Sequence, residues 1–268
     1  MPATIEDIAP KRHFLDEIRH LESGLVLEKP TVPPAVIHDW VEREHARFAN
    51  ARVRSFVPIL VERAVRARLR AADSVVPYSP AGGSLPEWAR RTAEALLAAE
   101  LPRRWAHTRG VAGRAREVAV VLPPADRPVL VAAAWLHDIG YASPVTGTGL
   151  HSLDGARYLL RHRVPPRVCA LIAHHSGAAA VAGLSGLSAE LAEFADERGL
   201  VRDALWYCDM TTSPTGERVT FAERMAEIRT RRGPEDPVVR ALDVNVADRA
   251  AAVTRTSEAL QRHGRIGH

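Results

Sequence analysis

Apolar positions in this 268-residue chain recur every three or four residues along almost its whole length, the period of helices that bury one face. A first run, roughly residues 5 to 22, puts Ile8, Leu15, Ile18 and Leu21 on one side. A second follows Pro33 and Pro34, with Ile37, Trp40, Val41 and Phe48 at helical spacing. A third begins near Ser55, where Pro58 is tolerated because it falls in the first turn. Its expected inward stripe is Phe56, Val57, Leu60 and Ala64, with Arg63, Arg66 and Arg70 on the other side as a solvated face. From Ala71 to Pro86 the chain reads AADSVVPYSPAGGSLP, in which prolines and the Gly82-Gly83 pair interrupt every period, so this stretch is expected to be a linker.

From Glu87 onward the helical period returns, and the β-branched run from Val118 to Leu122 continues a helical stripe. The pattern predicts an all-α protein: a small three-helix unit over residues 1–70, a linker over 71–86 and a helical domain over 87–268. The small unit has little interior, so it gains from burying apolar surface against its own copy, and a homodimer through residues 1–70 is the expectation. Residues 33–69 also resemble small three-helix dimerisation domains of some bacterial proteins.

Composition narrows the picture modestly. With 46% hydrophobic and 25% charged residues the chain suits a soluble globular protein. Two cysteines, Cys169 and Cys208, are too few for a disulfide framework, no apolar leader opens the chain and no uncharged apolar run matches a bilayer span, so the cytoplasm is the expected location. The net charge of +4 is spread along the chain and is almost wholly arginine, with lysine only at Lys11 and Lys29. Such a diffuse charge reads first as a solvated surface; as a modest positive field it would steer phosphorylated substrates, whereas nucleic acid needs a concentrated patch.

The chemistry is concentrated where apolar runs end. After Pro102, the stripe Arg104, His107, Val111, Ala115 and Val118 turns His107 inward. The segment VLVAAAWLHDIGY is apolar all round and closes on His137, Asp138 and Gly140. His151 opens HSLDGARYLLRH, whose inward residues are expected to be Leu153, Ala156, Leu159 and Leu160. RVCALIAHHSG ends in His174-His175, and VRDALWYCDM ends near Asp209. Any one buried imidazole or carboxylate finds an ordinary hydrogen-bond partner; this many, each at the end of a core helix, point to a shared metal, for which imidazole and carboxylate suit iron, manganese or zinc. His20, His38, His45 and His263 have no comparable setting and read as surface residues.

The ordered set H, HD, H, H, D, in the contexts RRWAHTRGVA, AAWLHDIGY, TGLHSLDGARYL, IAHHSG and LWYCDM, resembles the HD-domain superfamily of metal-dependent phosphohydrolases over roughly residues 86 to 230. The resemblance implies an all-helical bundle with two divalent ions. His107, His137, Asp138 and Asp209 would hold one, while His151, His174 and His175 would complete a second site across a bridging Asp138. His174 stands where the superfamily's fourth histidine falls, and His175 has the weaker claim.

The implied reaction is hydrolysis of a phosphoester or phosphoanhydride in a nucleotide or another small phosphorylated metabolite. Asp138, Arg104 and Arg109 are the expected catalytic set, with Arg157 and Arg218 as further phosphate-binding candidates. RRWAHTRGVA and the HHSG turn are similar to bacterial hydrolases of symmetrical diadenosine tetraphosphate. HHSGAAAVAGLSG lacks the Gly-Tyr-Pro motif of cyclic-dinucleotide phosphodiesterases, and Tyr141 stands where many superfamily members carry lysine. Two other readings share the ligand order: an HD-type di-iron oxygenase, and a non-catalytic regulatory dimer with a structural metal.

Overall fold

A computed structural model describes residues 5–29, 32, 34–48, 51, 53, 56–73 and 75–266, with side chains from 16 onward except at 71–73 and 266. Ser55, Pro33 and the side chains of Ile8 and Leu15 lie outside the described residues. The chain divides into two compact units, Met1–Ser74 and Val75–His268, and all described regular structure in both is helical apart from a single bridge between Thr212 and Arg218.

The first unit packs three helices against one another, α1 (Ile5–Glu28), α2 (Pro34–Ala46) and α3 (Val57–Asp73). Ile18, Leu25, Ile37, Trp40 and Val41 meet Val57, Val61, Val65 and Leu69 in its core. The inward stripe of α3 therefore differs from the expected one. Val57 is shared, but spacing by four carries the buried face through Val61, Val65 and Leu69, and Phe56, Ile59 and Leu60 stay exposed.

The second unit is built around α6 (Arg127–Leu136), whose residues from Leu130 to Leu136 are all buried. It packs against α4 (Leu85–Leu97), α5 (Pro102–Val118), α8 (Pro166–Ala173) and α11 (Leu200–Met210). Between these run α7 (His151–Arg161), α9 (Ala178–Ser185) and α10 (Ser188–Leu191), and α12 (Phe221–Arg232) and α13 (Pro237–Ile266) close the chain. In α7, Leu153, Ala156 and Leu159 are buried as expected, but Leu160 is half exposed, because it stands one residue beyond the inward stripe. Met210, Met225, Ile228, Val239 and Leu242 form a small separate core that seats α12 and the start of α13 on the end of α11.

The stretch expected to be a linker is partly tied down. The Trp88 indole donates to the Val76 carbonyl, Tyr78 packs edge-on against Trp88, and the Tyr78 amide donates to the His162 carbonyl. Residues 166–185 are apolar and long enough by composition to cross a bilayer, against the expectation from runs of uncharged residues. The stretch is not one rod, however: α8 and α9 are separated by a turn in which Ser176 and Gly177 both have left-handed backbones, with φ of 47° and 75°.

Candidate metal centre

Helix ends converge because the helices carrying them are held by the core on every side. Helix α6 stops at Leu136, and His137 and Asp138 follow in the turn where backbone bonding tightens, both almost fully buried. The Nδ1 of His137 donates to the Ala134 carbonyl at 2.8 Å. That bond fixes the tautomer, so its Nε2 carries a lone pair; among the described residues that buried atom has no hydrogen-bond partner. His175 repeats the design, with Nδ1 donating to the Ile172 carbonyl at 2.6 Å. In α5, His107 donates from Nδ1 to the Ser213 carbonyl at 2.9 Å and turns Nε2 to Asp209 Oδ1 at 3.0 Å. Three imidazoles are thus held by backbone carbonyls behind them with Nε2 within 4 Å of the Asp138 carboxylate, the arrangement metal-ligating histidines use.

Asp138 stands between two groups. Its Oδ2 lies 3.3 Å from His137 Nε2 and 3.8 Å from His107 Nε2, while Oδ1 lies 3.4 Å from His151 Nε2 and 3.9 Å from His175 Nε2. The donor atoms of His107, His137 and Asp138 fall within 4.8 Å of one another, as do those of Asp138, His151 and His175. Asp209 joins the first group through His107, and its Oδ2 accepts from the Ser176 hydroxyl, which the left-handed turn delivers. The donor set and the orphaned His137 Nε2 fit divalent ions of the iron, manganese or zinc type.

His151 is placed by backbone contacts that sequence reasoning did not identify. A Cβ on Gly140 would sit 1.8 Å from the His151 carbonyl oxygen, so only glycine admits the close approach of α7 to the turn after Asp138. Asp154 shapes the loop entering α7 by accepting from the amides of Gly147, Thr148 and Gly149. The His151 ring stacks on Tyr141, centroids 4.1 Å apart, and Arg104 covers the other surroundings of Tyr141 with its guanidinium 4.1 Å from that ring. The Tyr141 hydroxyl in turn accepts from Arg232 at 3.1 Å.

The charges follow from these contacts. Burial alone would raise the Asp138 carboxyl, but Arg104, whose Nη1 donates to Oδ2 at 2.7 Å, and His137 hold it well below the usual carboxylate range. Burial likewise works against ionised Asp209, but the close contact with His107 and the nearby Arg224 guanidinium outweigh it, so this carboxyl too is held well below its ordinary value. Burial pushes His151 well below the ordinary imidazole value, helped by the neighbouring His175, and pushes His175 down to about 4. Both rings are neutral near pH 7, the protonation state a ligand needs. For His137, burial also lowers, but Asp138 and Asp209 outweigh it and the net shift is upward.

Two expected site residues are elsewhere. His174 is buried, but its Nε2 pairs with the Phe194 carbonyl at 2.7 Å and its own carbonyl accepts from the Trp206 indole. It fastens the turn, and its neighbour His175 faces the cluster, because successive residues at a helix end point about 100° apart. Arg109 lies on the exposed side of α5, two residues beyond the inward His107. Among the other arginine candidates, Arg157 pairs with Glu193 and Arg218 with Glu117, both in exposed settings. Arg104 does reach the cluster.

A cavity of about 130 Å³ opens onto Asp138, His151, His175 and Asp209. The rest of its wall mixes apolar residues such as Leu150, Val181, Ile228 and Val238 with five arginines, Arg104, Arg224, Arg231, Arg232 and Arg249. Four of these five come from α12 and α13, for which the sequence offered no chemistry. A family model described as the HD domain matches residues 104–253, the span that contains every residue of this cluster. None of the curated proteins and none of the solved structures compared with the chain matches it.

Proposed function

The chain belongs to the HD-domain family, and on that footing we propose that it is a metal-dependent phosphohydrolase acting on a phosphoester or phosphoanhydride of a nucleotide or another small phosphorylated metabolite. The observation that carries the reading is the common wall between the His/Asp cluster and the arginine-lined cavity. Metal-type ligands and guanidinium groups facing one space suit a phosphoryl group, which presents anionic oxygens to both.

His107, His137 and Asp209 would hold one ion with Asp138 Oδ2, and His151 and His175 a second with Asp138 Oδ1. When bound, divalent ions supply acidity to a water molecule and positive charge to a phosphoryl oxygen. The protein's own part is orientation. Carbonyls of Ala134, Ile172 and Ser213 lock three imidazoles, and Ser176 fixes one oxygen of Asp209. Arg104 holds Asp138 ionised while its guanidinium borders the cavity.

Elemental analysis of the purified protein, joined to a phosphate-release screen across nucleotides and simple phosphoesters, tests this. Bound iron, manganese or zinc with phosphate release that a chelator stops is the expected result. Metal with oxygen-dependent turnover and no phosphate release would replace the reading by di-iron oxygenase chemistry.

Pairing through residues 1–70 is part of the same proposal, and the exposure of Phe56, Ile59 and Leu60 on α3 supports it. Light scattering is expected to give a dimer that Ile59→Glu converts to a monomer. A monomeric wild type would refute the pairing.

A further inference from the structure

The C-terminal helices carry a charge that the protein itself leaves unanswered. Arg249 on α13 is 2% exposed, yet among the described residues no carboxylate lies within ion-pairing distance of it. Its Nε donates to Asn245 Oδ1 at 2.6 Å, and its Nη1 rests 3.5 Å from the Met210 sulfur. Burial pushes its pKa down to about 10, so the group is still a cation at neutral pH. The Asp209 carboxylate attracts it from beyond pairing distance, but burial outweighs that attraction, and a buried cation without an ion pair costs roughly several kcal/mol, a cost that an arriving anion would lessen.

The side chain is also aimed. Helix α13 breaks its helical backbone at Asn245, with φ of −123°. There the Asn245 amide spans two partners, donating to the Gly177 carbonyl at 2.8 Å and accepting from Arg249. Gly177 has no side chain to prevent this: a Cβ there would meet Asn245 Nδ2 at 2.0 Å and Arg249 Nε at 3.0 Å. The same turn that holds Ser176 against Asp209 therefore also holds Arg249 at the cavity wall.

Arg224 adds a second buried group. The capping box of Thr220 and Glu223 fixes the start of α12 and sets Arg224 one residue further on, 4% exposed. Its Nη1 pairs with Glu227 and its Nη2 lies 3.5 Å from Asp209 Oδ1, but its buried Nε has no partner among the described residues. The carboxylates that pair with the lining arginines, Asp138, Asp209, Glu227 and Asp236, number one fewer than the five arginines, and two of the four are themselves candidate metal ligands. Divalent ions would add to that excess, so the cavity favours a ligand of high negative charge in little volume.

We propose that Arg249 and Arg224 seat the terminal phosphoryl group of the substrate, which makes phosphomonoesters or the ends of polyphosphate chains the substrate class and disfavours diesters. This rests on the phosphohydrolase reading above. A terminal phosphoryl group carries two charges near neutral pH and offers three non-bridging oxygens, enough for the ions and the two guanidinium groups together, whereas a diester carries one charge and offers two such oxygens. The half-open cavity of about 130 Å³ has room for that group between the arginines and the Asp138, His151, His175 and Asp209 face. The rest of the ester has room next door, where a space of about 390 Å³ lined by Leu101, Pro102 and Pro214 shares Arg104, Arg224 and Arg231 with the first.

Isothermal titration of the metal-loaded full chain with inorganic phosphate, and separately with dimethyl phosphate, tests the seat. Phosphate is expected to bind at least about tenfold more tightly than dimethyl phosphate, and Arg249→Met to weaken phosphate binding by about 10- to 100-fold, the value of charge-assisted hydrogen bonds. Equal binding of the two probes, or phosphate affinity unchanged in Arg249→Met, overturns the proposal. If Arg249→Met does not fold, Arg224→Met is read by the same criterion. A protein that binds phosphate through Arg249 yet releases none from any ester keeps the seat and loses the hydrolase. One that hydrolyses monoesters while Arg249→Met binds phosphate unchanged keeps the hydrolase and loses the seat.

Discussion

Gly140→Ala adds one methyl group to a residue that touches no metal ligand through a side chain, and it is expected to disable one half of the metal centre. The added Cβ would lie 1.8 Å from the His151 carbonyl oxygen, 2.6 Å from its carbonyl carbon and 2.8 Å from its Cα. All three are backbone atoms, so no rotamer change relieves the clash. Bringing the oxygen out to 3.0 Å, the shortest tolerable contact, requires the start of α7 and the turn after Asp138 to part by about 1.2 Å. His151 Nε2 is 3.4 Å from Asp138 Oδ1 and 3.1 Å from His175 Nε2, and a shift of that size takes it out of a common coordination sphere, in which ligand distances are fixed to a few tenths of an ångström. Overpacking of this kind costs about 1–3 kcal/mol, which for a unit of this size lowers Tm by roughly 3–10 °C. Elemental analysis of Gly140→Ala should show about half the wild-type metal, with the His107, His137 and Asp209 group still loaded, and calorimetry should show the lower Tm in metal-free protein. Full metal content at an unchanged Tm would mean that the backbone contact does not set the position of His151.

Two more outcomes separate the roles inside the cluster. His174→Ala is expected to keep the wild-type metal content while losing about 1–3 kcal/mol of stability by removing the partner of the buried Phe194 carbonyl, whereas His175→Ala is expected to lose metal; elemental analysis that reversed this pair would restore His174 as the ligand. In chelator-stripped protein, His175 gives a pH dependence of stability: between its ordinary value of 6.5 and its folded value of about 4 the unfolded chain binds a proton there and the folded chain does not, so stability is highest above pH 6.5 and falls by about 3 kcal/mol on descending through that window. His151, also shifted down, adds to the same slope, and His137, shifted upward, acts in the opposite sense only above pH 6.5, so the comparison is with His175→Asn, whose urea-denaturation midpoints should fall less steeply over the same window; identical slopes would remove His175 as the cause.

Much of the candidate centre was legible because His137, Asp138, His151 and Asp209 end or begin apolar helices and His107 lies on the inward stripe of α5, patterns that local sequence records. The buried character of α6 was legible in the same way. The choice between His174 and His175 was not legible. It depends on where α8 stops, at Ala173, and on which imidazole then meets the Phe194 carbonyl from a segment twenty residues away in sequence. The arginines were harder still. Arg109, Arg157 and Arg218 stand near ligands in sequence, but proximity along a helix says nothing about its face. Arg224 and Arg249 reach the cavity only because the Met210–Leu242 cluster seats α12 and α13 against α11, a packing decision that no motif announces. In α3, two overlapping apolar stripes compete, and burial against α1 and α2 selected the one through Val61 and Val65 over the one through Phe56 and Leu60.

The hydrogen bonds that close the centre have a consequence for biosynthesis. His107 leaves the ribosome about a hundred residues before Asp209 and Ser213, its two partners, and the turn at Gly177 waits a further 68 residues for Asn245. The first unit has meanwhile emerged with all three of its helices and can fold on its own schedule. Over that interval the nascent second unit presents histidines and aspartates without the carbonyls that orient them or the arginines that wall them in. The candidate centre therefore reaches its arrangement only in the finished chain, and a ribosome that stalls before the last helix leaves the Gly177 turn without Asn245 and the cavity without Arg249.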